Sequence, residues 1–217
     1  MKIGFMPLSL LSDNPLYFIA WIGAILIALS VHEFLHAYAA YRLGDDTAER
    51  AGRLTLNPMA HIDWLGFFAL ILIGFGWGKP VPVNPYNLKY KKWGNALVAL
   101  SGPLANLVSI IVFGLFLKLL ESFTGLNSGN LLIQFIDLLI IINAVLLTFN
   151  LIPIPPLDGS SVLFTILSNP KYNNFKANLE SRGPMILLGL ILLDNLFNIG
   201  IFSALFSRVV NLVFGIF

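Results

Sequence analysis

Residues 28–44 read ALSVHEFLHAYAAYRLG, and this stretch decides what kind of fold the chain can have. It continues an apolar run that starts near Leu16, so its neighbours suit lipid, yet His32, Glu33 and His36 sit inside it. The rest of the chain settles the setting. Of 217 residues, 57% are hydrophobic and 11% charged, a balance that excludes an ordinary soluble domain. Crossing a hydrocarbon core of about 30 Å takes about 20 largely apolar residues. Segments 16–41, 94–117 and 131–152 meet that length. A fourth, about 184–207, is long enough but is interrupted by Asp194 and Asn195. Segment 64–77 is apolar but short, the length of a re-entrant or interfacial piece.

The expected fold is therefore an all-α polytopic membrane protein. It has a three-helix core, a re-entrant or extended segment, and one or two C-terminal membrane helices. One domain is expected over 1–217, with its core at about 16–165 and a C-terminal membrane segment at about 184–217. No cysteine occurs, which excludes disulfides and thiolate metal sites. The first long span reads as an uncleaved signal-anchor. Asparagine-before-proline starts at Asn14-Pro15, Asn57-Pro58, Asn84-Pro85 and Asn169-Pro170 each predict a capped helix.

Lysine and arginine favour the cytoplasmic side, which lets two topologies be compared. If 64–77 dips in and returns, ten cationic residues share one side: Arg42, Arg50, Arg53, Lys79, Lys89, Lys91, Lys92, Lys171, Lys176 and Arg182. Lys2 and Lys118 are left on the other. If the segment crosses fully, the same residues divide eight to four. The re-entrant arrangement is preferred, with Arg42, Thr47, Tyr90 and Tyr172 cytoplasmic and Asn127 outside. Asp45, Asp46 and Glu49 read as a solvated loop, and Lys89, Lys91 and Lys92 as a snorkelling rim.

Ionisable groups within a span are costly and face a partner, a cavity or a metal. His32 and His36 are four apart, so a helix stacks them on one face about 6 Å apart along its axis. Glu33, rotated by about 100°, lies beside that row. This is the HExxH pattern, in which two imidazoles ligate zinc and the glutamate takes a proton from water. The plain alternative is two histidines bonded to neighbouring helices beside a neutral glutamate. A third ligand is needed, and NLIPIPPLDG at 150–159 offers Asp158 beyond a proline-stopped helix. Asp158-Gly159 alone is also an ordinary turn. In the preferred topology it ends on the same side as Arg42 and can fold back toward the histidines. His61 reads as a loop anchor.

HEFLH (32–36), SGPLANL (101–107) and NLIPIPPLDG (150–159), in this order on three spans, resemble the site-2 protease family of intramembrane zinc metalloproteases, in a compact prokaryotic form. LNPMAHIDWLG (56–66) and GKPVPVNPY (78–86) resemble loops of the same family. The resemblance covers roughly 16–165. It implies Zn²⁺ held by His32, His36 and Asp158, Glu33 as catalytic base, and Asn106 and Asn150 lining the site. The implied activity is hydrolysis of peptide bonds within or near transmembrane segments of membrane-anchored proteins. Its partners would be transmembrane substrates and the lipid bilayer, not nucleic acid. The site would face the cytoplasm from a prokaryotic cell membrane. Extra N-terminal spans and PDZ or CBS modules of some relatives are not seen.

Asn106 is also explained by helix packing, four residues from Gly102 on one face. Two other functions stay open: a membrane HExxH protease using a later glutamate, and a metal-binding or transporting protein without catalysis. Glu121 and Glu180 lack helical ligand patterns, which disfavours the first, and the intact Glu33 disfavours the second. GKPVPVNP (78–85) is expected to be extended, with Val81 and Val83 free to pair with an unwound substrate.

Overall fold

The computed structural model describes residues 7–126 and 128–217; Lys2 and Asn127, both used in the topology expectation, lie outside them. Ten α-helices occur among the described residues: α1 (Pro7–Asp13), α2 (Pro15–Arg42), α3 (Thr47–Arg50), α4 (Pro58–His61), α5 (Trp64–Ile73), α6 (Gly94–Thr124), α7 (Leu131–Asn150), α8 (Asp158–Ile166), α9 (Asn173–Leu196) and α10 (Ile201–Phe214). Helices α2, α6 and α7 are long and apolar enough to cross a membrane, and the bent pair formed by α9 and α10 raises the number to four if it acts as one span. The chain is an all-α polytopic membrane protein.

Local chemistry explains the helix ends. The Asn14 side chain accepts from the Tyr17 amide at 3.1 Å, with Pro15 in the first turn, so an orphan amide is satisfied where proline needs none. Asn57 and Asn169 cap in the same way before Pro58 and Pro170, and Asn130 caps α7 without a proline. Asn84 differs from expectation: its side chain accepts from the Tyr86 amide at 3.1 Å, but a turn follows rather than a helix.

Alanines 24, 28, 37 and 40 of α2 are buried, and small side chains let helix backbones approach where lipid supplies no hydrophobic drive. Ile110 and Leu117 of α6 interlock with Ile133, Ile136 and Ile140 of α7. On the outer faces Leu104, Val112 and Leu115 are exposed, as lipid contact requires.

Helix α5 has ten residues, about 15 Å at 1.5 Å per residue, half a hydrocarbon core. Gly74 ends it in the left-handed region at φ 75°, and the chain then turns back. Ile62 and Gly78 form an antiparallel bridge, and the Lys79 amide donates to the His61 carbonyl at 2.9 Å. The entry and exit of the segment are therefore neighbours. The returning arm lies directly on α5: a Cβ at Gly66 would meet the Trp77 ring at 2.9 Å, and one at Gly76 would meet Leu70 Cβ at 2.6 Å. The segment folds back on itself, as the re-entrant arrangement expects.

The acid that interrupts the fourth apolar run has a structural task. Asp194 Oδ1 accepts from the Ile201 amide at 2.7 Å and Oδ2 from the Phe202 amide at 3.2 Å. It thus caps α10 where the chain bends by 90° after α9. Leu187 and Ile191 of α9 pack on Leu157, which backs the start of α8 and its first residue, Asp158.

Candidate metal centre

The helical period stacks His32 and His36 with their Nε2 atoms 3.0 Å apart. Asp158 Oδ2 lies 3.3 Å from each of them. These residues form the only group of three or more metal-ligating side chains among the described residues. His36 Nδ1 faces the Val98 carbonyl at 2.8 Å and His32 Nδ1 faces Asn106 Oδ1 at 2.6 Å. Both partners are acceptors, so each Nδ1 donates its proton and each Nε2 presents a lone pair. Oδ2 of Asp158 is buried and accepts no hydrogen bond, as expected when both facing nitrogens are acceptors. Three potential ligand atoms thus converge on one point, an arrangement suited to holding a cation. Tetrahedral zinc with bonds of about 2.0–2.1 Å separates its ligands by about 3.3 Å, which these spacings fit.

Helix α6 comes against the two rings because residue 102 has no side chain. A Cβ at Gly102 would stand 2.6 Å from Cε1 of His32 and of His36. Its neighbour Ser101 donates to the Val98 carbonyl at 2.6 Å and reaches the Leu35 carbonyl at 3.0 Å, binding α6 to the α2 backbone at the level of the histidines. Asp158 opens α8, where the free amides and helix dipole favour a carboxylate.

Glu33 Oε2 accepts from the Val81 amide at 3.2 Å. Val81, expected to keep its amide free for substrate, is therefore already engaged with the carboxylate. The segment that carries it is clamped from behind by Arg53, which is 4% exposed. The guanidinium donates to the Pro80 carbonyl at 3.1 Å and to the Lys79 carbonyl, and lies 3.3 Å from His61 Nδ1. His61 Nε2 faces the Thr55 carbonyl at 2.7 Å. His61 belongs to this clamp and not to the metal group.

Asn106 is fully buried, and its Nδ2 donates to Asn143 Oδ1 at 2.9 Å, so both ends of its amide are committed. Asn150 Nδ2 donates to the Leu146 carbonyl within its own helix at 3.0 Å. Asn143 was not among the residues marked from the sequence. Its signal was available, as an amide inside the apolar run 131–152. Asp45 corrects the reading of its loop as solvated: it is 0% exposed. It accepts from the Thr47 amide and hydroxyl at 3.2 and 2.5 Å, the Asn84 amide at 2.6 Å and Asn87 Nδ2 at 3.0 Å. Burial opposes its charge, but these bonds outweigh it and hold the carboxyl below its ordinary range.

An HExxH pair completed by an aspartate inside a bundle of membrane-length helices defines a membrane-embedded protein of the zinc metalloprotease class. Comparison with known proteins narrows the class. The profile of Peptidase family M50 matches residues 122–192. "Putative zinc metalloprotease YwhC" of Bacillus subtilis is 41% identical over 145 residues, 64% of this chain and 65% of that relative. "Putative zinc metalloprotease Rip2" of Mycolicibacterium smegmatis is 34% identical over 184 residues, 81% of this chain and 67% of that relative. The chain thus spans about two thirds of the length of these relatives. No solved structure matches it. The chain belongs to Peptidase family M50, the site-2 protease family.

Proposed function

We propose that this protein hydrolyses peptide bonds within or near the transmembrane segments of membrane-anchored proteins, as a step in regulated intramembrane proteolysis. The observation that carries the proposal is the convergence of His32 Nε2, His36 Nε2 and Asp158 Oδ2 at 3.0–3.3 Å inside the bundle, with Glu33 one residue from the first ligand. In this reading His32, His36 and Asp158 hold zinc. Zinc bound there supplies Lewis acidity, activating water and polarising the scissile carbonyl.

Glu33 takes the proton of the attacking water and returns it to the departing amine. The Val81 amide on Oε2 fixes the carboxylate's direction and leaves Oε1 for the transfer. Asn106, with both amide ends engaged, holds His32. Asn150 is the remaining amide that could stabilise the oxyanion, after release from Leu146. An open apolar recess of about 240 Å³ lined by Leu100, Leu151, Pro153, Val162, Leu163 and Gly159, the residue after Asp158, among others, suits an unwound apolar chain.

The reading places the site toward the cytoplasm of a prokaryotic cell membrane. Lys89 on Tyr90, Lys92 on Trp93 and Lys171 on Tyr172 are cation–aromatic pairs at 5.7, 5.6 and 4.8 Å, of the kind found at a membrane interface. All three lie on the cation-rich side.

The test incubates the purified protein with a panel of single-span membrane substrates, with and without a zinc chelator. Cleavage that the chelator abolishes and zinc restores is expected. Cleavage indifferent to the chelator refutes the proposal.

A further inference from the structure

We infer that Asn143, on α7, is a positioning residue that sets the protonation pattern of His32 through Asn106, so that the metal site depends on a helix that contributes no ligand to it from its membrane-spanning length. The inference rests on His32 being a zinc ligand. The chain of contacts starts at a group with no choice of role. The Leu139 carbonyl can only accept, and Asn143 Nδ2 donates to it at 2.7 Å. That turns Asn143 Oδ1 the other way, toward Asn106, whose Nδ2 donates to it at 2.9 Å. Asn106 Oδ1 is thereby directed at His32 Nδ1, 2.6 Å away.

His32 must then carry its proton on Nδ1 and present Nε2 bare, which is the form that ligates a metal. Each amide alone is ambiguous, because its oxygen and nitrogen ends are alike in shape. The backbone carbonyl removes that ambiguity for the whole series.

Burial makes the order strict. His32, Asn106 and Asn143 are 3%, 0% and 1% exposed, so water cannot replace a lost partner, and a reversed amide would leave a buried donor facing a donor. With Asn143 made apolar, Asn106 is free to turn its NH₂ toward His32. That orientation favours the proton on Nε2 and works against the metal. His36 has no such dependence, since its Nδ1 faces the Val98 carbonyl directly.

Zinc affinity, measured by chelator competition on the full chain in detergent, tests the inference. Partners behind a ligating histidine typically contribute about 10–100-fold to metal affinity, so Asn143→Leu should weaken zinc by that factor. Because Asn143 acts through Asn106, the double variant with Asn106→Leu should match Asn106→Leu alone within about threefold. A purely structural role predicts instead that the two losses multiply. Asn143→Leu within about threefold of the parental affinity, or multiplying losses, overturns the inference.

The metal-free parental protein gives a second test that needs no variant to fold. With histidine labelled in ¹⁵N, His32 Nδ1 should carry a proton and His61 Nδ1, which faces Arg53, should not. A bare Nδ1 at His32 overturns the inference even if the variants do not fold. Failure of the parental chain to bind zinc would count instead against the protease reading, and the nitrogen spectrum would still decide the relay.

Discussion

Replacing Gly102 by alanine adds one methyl group where α6 lies against the two histidine rings. The new Cβ would stand 2.6 Å from Cε1 of both His32 and His36, whereas carbon atoms pack at about 3.5–4.0 Å. About 1 Å must be found. Turning the rings breaks the Nδ1 bonds to Asn106 at 2.6 Å and to Val98 at 2.8 Å, and each buried group left unpaired costs about 1–3 kcal/mol. Moving α6 away instead costs about 1–3 kcal/mol, the range for overpacked cores.

Either route distorts the ligand triangle. At about 1.4 kcal/mol per tenfold, zinc affinity should fall roughly 5–150-fold. Turnover at saturating zinc should fall about 100-fold further if a 1 Å displacement persists. Gly189→Ala is the matched control: it lies in α9 with nothing within 4 Å of its added carbon, and should be neutral or stabilising by up to about 1 kcal/mol. Chelator competition and cleavage assays on both variants read the outcome. A folded Gly102→Ala protein with parental zinc affinity and turnover would refute the close approach of α6 to the two rings.

Glu33→Gln should lower turnover by about 10²–10⁴-fold while elemental analysis still finds zinc; near-normal cleavage would remove Glu33 from the role of base. Asp158→Ala should lose zinc as well as activity, and His61→Ala should keep its zinc, so the reverse pair of metal contents would identify a different third ligand. Asp45→Ala should destabilise the folded protein by about 1.5–3 kcal/mol, the scale of hydrogen bonds to a charged group. Because folding lowers the Asp45 pKa, its contribution is complete above the unfolded value near 4. It fades as pH falls through the folded value, and a parental-minus-variant difference in unfolding free energy that grew on acidification would contradict this. Single cysteines at Thr47, Tyr90 and Tyr172 should all react with an impermeant thiol reagent from the same side, and opposite accessibility at Thr47 and Tyr90 would contradict the return of the chain at Gly78.

The sequence by itself determined whatever depends on neighbours along the chain. Run length marked 16–41, 94–117 and 131–152 as spans, and α2, α6 and α7 occupy them. The helical period put His32 and His36 on one face, and the Asn-Pro pairs at 14, 57 and 169 became caps. The same local rule overreached at Asn84, where no apolar helix follows to be capped. It also left 64–77 open, because hydropathy measures apolar length and not whether two chain ends meet.

Tertiary structure decided those points through contacts between distant residues. Gly78 pairs with Ile62, bringing the two ends of segment 63–77 together. The Val81 amide reaches Glu33 from 48 positions away. Asp45 is held not only by Thr47 in its own loop but by Asn84 and Asn87, about 40 positions away. The direction of the Asn106 amide is fixed by Asn143, 37 positions on. Sequence pattern carries helix period and apolar length, but a buried hydrogen-bond donor or acceptor is satisfied by whichever group the packed helices bring within about 3 Å, and that choice exists only once they have packed.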